Sequence, residues 1–74
     1  MDREIILQEL AQLEGRVART QRQIASYRET ILRLEQRGRD ASWAKLMLRQ
    51  CEEALALHVS VHGRLVQQLS QDSE

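Results

Sequence analysis

An apolar stripe with alternating three- and four-residue spacing runs through this chain and is broken once, around Gly38. Before the break it reads Ile6, Leu10, Leu13, Val17, Thr20, Ile24, Tyr27, Ile31, Leu34. After it the stripe reads Ala41, Ala44, Leu48, Cys51, Leu55, His58, His62, Leu65, Leu69. The spacing averages about 3.5 residues, the repeat that keeps one face of a helix against a partner helix. The pattern predicts an all-α fold: two long helices in an antiparallel, coiled-coil-like hairpin.

A chain of 74 residues is one small domain, residues 1–74. It has no proline, and Tyr27 and Trp43 are its only aromatic residues. Helix 1 is expected over about 2–37, a turn over 38–40, helix 2 over about 41–69 and a frayed tail over 70–74. Asp2, Glu4 and Glu9 suit the positive end of the first helix dipole, and Arg33 and Arg37 the negative end. Gly38 fits the left-handed position just past a helix end, and Asp40 or Ser42 can cap the helix that follows. Two registers fit the seam. One sets Leu34 against Ala44, Thr20 against His58 and Leu13 against Leu65; the other is shifted by one turn and sets Val17 against His58. The first matches the polar seam residue of helix 1 with a polar residue of helix 2, and buried polar groups need partners.

A single hairpin cannot bury all the apolar surface in this pattern. Beside the first seam lie Ala11, Ala18, Ala25 and Leu32, with Ile5 and Leu7 near them. Beside the second lie Trp43, Met47, Ala54, Leu57 and Val61, with Val59 and Val66 on the other side. Small chains with a thin core need a staple or a partner, and the lone Cys51 allows no internal disulfide. Self-association follows, most economically as a two-fold dimer that makes a four-helix bundle. Leu10, Leu13, Val17, Ile24, Ile31, Leu48, Leu55 and Leu65 are the expected oligomer interface. The alternative use of the surplus face is docking of a different protein, and Trp43 with Met47 is the candidate partner patch, since such residues anchor interfaces. Gly15 and Gly63 stand inside the helices, either as tolerated outer positions or as points of close contact.

Little in the chain points to chemistry. His58 and His62 project from one helical face, with Cys51 two turns earlier. These residue types ligate zinc, but a tight site wants four ligands and neither seam supplies an acid. The competing reading is a polar layer in which Thr20, His58 and His62 fix register. A nucleophilic Cys51 would need a nearby base, and His58 is roughly 10 Å along the helix. No glycine-rich phosphate loop, paired-acid cleft or triad spacing is present. No catalytic residue, metal or cofactor is expected, and a non-enzymatic protein is.

Charge adds one alternative. Formal net charge is zero, yet residues 16–39 carry seven Arg against Glu29 and Glu35. Arg19, Arg22, Arg33 and Arg37 form a candidate anion face, since the planar guanidinium pairs well with phosphate. RNA or DNA would be the ligand. The first reading of function is instead a structural or adaptor module that self-associates and binds another protein. The longest apolar run, Ala54 to Leu57, is far too short to span a membrane, which needs roughly 20 residues. The acidic start lacks the features of a signal peptide, and the lone cysteine suits a reducing compartment, so a cytoplasmic setting is expected.

The segment Leu34-Glu35-Gln36-Arg37-Gly38-Arg39-Asp40, followed by Leu48-Arg49-Gln50, Leu57-His58-Val59 and Arg64-Leu65, resembles a group of small helical hairpin proteins of rhizobial and related bacteria. The likeness covers roughly residues 20–69. It implies a helical hairpin and a bacterial setting, and it carries no active residues. Val61-His62-Gly63 departs from the charged pattern usual there. The architecture is also similar to the RNA-binding hairpin dimer Rop, by analogy of fold alone.

Overall fold

The computed structural model describes residues 2–72. Helix α1 runs Arg3–Gln36 and helix α2 runs Ser42–Asp72, and the two pack against each other along their length. Both are within a few residues of the ranges expected from the stripe. The C-terminal end is the larger difference: α2 continues through Asp72 rather than stopping near Leu69. Ser70 and Gln71, expected in a frayed tail, are therefore helical. The last part of that tail, 73–74, lies outside the described residues.

The helix ends are built as the local sequence dictates. The Asp2 side chain accepts the Glu4 N–H at 3.1 Å and caps α1. At the other end Gly38 takes φ +66°, the left-handed region that glycine enters without steric cost. Its N–H donates to the Glu35 carbonyl at 3.1 Å, and the Arg39 N–H donates to the Leu34 carbonyl at 2.9 Å. These two bonds form a Schellman motif and satisfy carbonyls that the helix end would otherwise orphan. Asp40 then holds the start of α2: its Oδ1 accepts the Ser42 N–H at 3.0 Å and the Ser42 hydroxyl. Of the two candidate caps, Asp40 therefore acts, and Ser42 is its donor. These bonds, the Ser42 hydroxyl first, hold the Asp40 carboxyl below its usual 3.8, with help from the Lys45 charge and against slight desolvation.

Packing is concentrated at the open end. Ile6, Leu10, Leu13 and Leu65 form a buried cluster, with Leu69 packed against it. Leu65 sits with both Leu10 and Leu13, so this layer satisfies either register. Ala41 and Ala44 close the turn end, and Thr20 and Ile24 are buried between. Thus Leu10, Leu13, Ile24 and Leu65, expected at an oligomer interface, are already buried inside one hairpin. Val17, Ile31, Leu48 and Leu55 are half-buried along the same seam.

The shape is a rod of 58 × 15 × 13 Å. Its radius of gyration is 16.9 Å, against roughly 11 Å for a compact domain of this length. A rod this thin buries little. Among the described residues five large apolar side chains are buried, while Ile5, Leu7, Leu32, Trp43, Leu46, Leu57, Val59, Val61 and Val66 stand exposed.

Candidate interaction surfaces

The two long flanks of the interhelix seam differ. On one flank, two ion pairs and one histidine–carboxylate contact cross from α1 to α2 among the described residues. Glu14 Oε1 lies 3.5 Å from His62 Nε2, Arg28 Nη2 lies 3.4 Å from Glu52 Oε2, and Glu35 Oε2 lies 3.0 Å from Lys45 Nζ. The Arg-rich stretch of α1 supplies the base of Arg28–Glu52; in the other two contacts α1 supplies the acid. The two ion pairs are well exposed, so each is worth about 1 kcal/mol at most. They set register more than they add stability.

Between these pairs runs a groove. One hollow of about 760 Å³ is lined by Gln21, Ile24, Ala25, Arg28, Glu52, Leu55, Ala56 and Val59. A second, of about 250 Å³, is lined by Glu14, Val17, Ala18, Gln21, Val59 and His62. They share Gln21 and Val59 and so make one continuous trough. The alanines keep it open, because a longer side chain at Ala18, Ala25 or Ala56 would fill it.

The opposite flank carries no interhelix ion pair among the described residues. It is formed by Trp43, Met47, Ala54, Leu57 and Val61 of α2, which recur at helical spacing beside the seam. Trp43 is 56% exposed and Leu57 65%. Trp43 is not loose: its ring meets Tyr27 edge-on at 6.5 Å and 82°. Such a contact contributes about 0.5–1.5 kcal/mol beyond burial and fixes the indole while leaving its outer face to solvent. Val61 meets α1 beside Gln12 and Arg16. The patch of Trp43 and Met47 thus extends along α2 into a longer apolar flank.

The expected polar layer is not formed. Thr20 is buried and His58 half-buried, but neither makes a side-chain hydrogen bond among the described residues. His62 turns to the flank and meets Glu14 instead. The backbone position stays half-buried at the seam, with Leu65 and Leu69 beyond it still in the core, and it is the long imidazole that reaches the rim. Cys51 is half-buried, and its Sγ lies 4.0 Å from Gln23 Oε1, an amide that cannot act as a base. Among the described residues no three His, Cys, Asp or Glu side chains converge on a metal position. Within the candidate anion face Arg33 is paired with Glu29 at 3.0 Å. Arg19, Arg22 and Arg37 carry no ion pair among the described residues. No described helix is long and apolar enough to cross a membrane.

No family model matches this chain, and comparison with curated proteins and with solved structures gives no match either. The sequence stripe located the seam and the Trp43 flank. It did not locate the groove, though Glu14, Gln21 and Arg28 recur every seven residues and mark it in retrospect.

Proposed function

We propose that this protein is a non-enzymatic adaptor module of the bacterial cytoplasm, one that self-associates into a helical bundle and binds another protein. The observation that carries the reading is the excess of exposed over buried large apolar side chains, nine against five among the described residues. Exposed apolar side chains that gather along a flank, rather than scatter singly, mark interaction surfaces. The excess is divided between two flanks, which suits two uses: one flank for a second copy, as in hairpin dimers of the Rop kind, and one for a different protein. The Trp43 flank fits the second use, because a fixed aromatic ring beside Met47 and Leu57 is the composition of an interface anchor.

The test is capture from native lysate by the immobilised chain, with RNase-treated and untreated arms, against a Trp43→Ala, Leu57→Ala variant. The proposal expects a discrete protein that is retained after RNase and lost with the variant. Retention only in the untreated arm would count against it. That outcome would support the second reading, phosphate binding by Arg19, Arg22 and Arg37, whose guanidinium groups are not occupied by acids among the described residues.

A further inference from the structure

We propose that a second copy of the chain seats antiparallel on the groove flank, α1 against α1 and α2 against α2, with the two-fold axis passing Gln21. This rests on the self-association proposed above and assigns it a face and an orientation.

Charge along α1 supports the orientation. Glu14, Gln21 and Arg28 lie at seven-residue intervals along the groove edge of α1, with Gln21 in the middle. A two-fold axis at Gln21 sets Glu14 opposite Arg28 of the second copy, and the same pair forms again on the other side of the axis. A parallel copy would need its two-fold axis along the hairpin, which seats α1 on α2, so Glu14 and Arg28 would no longer meet across the contact. Arg28 has the capacity for this contact. Its 3.4 Å approach to Glu52 uses one nitrogen, and a guanidinium carries five donors in all. A carboxylate from the second copy would complete a bridge between two acids.

Shape and area decide the face. Ala25, Ala56 and Val59 floor the groove, and Val59 is 57% exposed there. Leu32, seven residues beyond Ala25 on the same side of α1, is also exposed. The chain exposes 5730 Å². A compact monomer of its 8.6 kDa would expose about 4,700 Å², leaving a surplus of about 1,000 Å². A standard interface buries about 800 Å² on each partner, so one dimer contact absorbs the surplus. Gln21 lies near the middle of α1, Arg3–Gln36, so this axis overlaps the two hairpins along nearly their whole length. On the opposite flank the comparable pair, Glu9 and Arg16, is centred near Gln12. A two-fold axis there would leave the turn half of each hairpin uncovered.

The experiment is disulfide trapping in the full chain with Cys51→Ser, so that only the introduced thiol reports. Gln21→Cys places one thiol on each side of the proposed axis, within the reach of a disulfide. Leu57→Cys places it on the opposite flank. Both positions are exposed, and circular dichroism checks that each variant stays helical. Sedimentation of the Cys51→Ser chain reports association independently. The expected result is a dimer in sedimentation, with most of the Gln21→Cys chain trapped as dimer under mild oxidation and Leu57→Cys trapped at least ten-fold less. A sedimenting dimer that traps through Leu57→Cys, or through neither, overturns the face and orientation while leaving self-association standing. A helical monomer overturns both.

Discussion

Glu14 and His62 face each other across the rim of the hairpin, Oε1 to Nε2 at 3.5 Å, with the carboxylate largely in solvent. The histidine therefore reports on an exposed flank and not on a dry layer. Its partner is an acid of α1, and Cys51 stands about three turns away along α2 facing Gln23. A zinc ion would find no converging set of ligands among the described residues. Added zinc and added chelator should both leave the melting temperature unchanged near neutral pH. A rise with zinc that chelator reverses would show that two copies pool their ligands.

The turn is the most sharply specified element. At φ +66° an alanine Cβ crowds its own carbonyl, although nothing else lies within 4 Å of the position. Gly38→Ala should destabilise by about 1–2 kcal/mol, the cost of the left-handed conformation for an L residue. Gly15 lies in the body of α1, also with open space around it. There the substitution should act in the opposite sense: Gly15→Ala should stabilise by about 1 kcal/mol through helix propensity. Chemical denaturation of the two variants at one protein concentration checks both signs.

The asymmetric core gives a graded prediction. Leu13→Ala removes a side chain from the buried open-end cluster and should cost about 2–5 kcal/mol. Leu46→Ala removes an exposed one and should stay within about 0.5 kcal/mol. Equal costs would mean that Leu46 is covered in the assembled state.

Acid should loosen the start of α2 locally. Hydrogen bonds from Ser42 lower the folded-state pKa of Asp40 below its usual 3.8. The unfolded chain therefore binds a proton more readily than the folded one in that range. The contribution of this cap is fully present above about pH 4 and is lost as pH falls through the folded-state value. An NMR titration should show the Asp40 carboxyl and the Ser42 amide moving together below pH 4. Asp40→Asn should remove that coupled transition. An Asp40 midpoint above 3.8 would contradict the hydrogen bonding at this cap.

If the arginine reading holds instead, nucleic-acid binding should weaken steeply with added salt, because phosphate contacts release counterions. Replacing Arg19, Arg22 and Arg37 with Gln should flatten that dependence and leave helicity intact. The adaptor reading expects no specific RNA binding at physiological salt, measurable by electrophoretic mobility shift.

Much of this fold was legible in the sequence because long helices average over local error. Nine seam positions per helix overdetermine the hairpin, and Gly38 with Asp40 marks the turn by mechanism. Spacing fixes which positions line the seam but not where a polar side chain at such a position turns. His62 counted as a seam residue by spacing, yet it reaches the rim. The cross-helix pairs of Glu35 with Lys45 and Glu14 with His62 depend on register, which the stripe alone left open by one turn. The groove was harder still. A hollow is defined by side chains that are short, and Ala18, Ala25 and Ala56 read along the chain as ordinary helix formers. The Trp43 flank was visible because a large apolar residue beside a seam has no use in an isolated hairpin.

Sedimentation equilibrium of the unmodified chain at micromolar concentration tests the central claim most directly, namely that the uncovered apolar surface is covered by association. The account predicts a particle of twice the 8.6 kDa chain mass or more, helical throughout the concentration range. A single species at 8.6 kDa with undiminished helicity would contradict it.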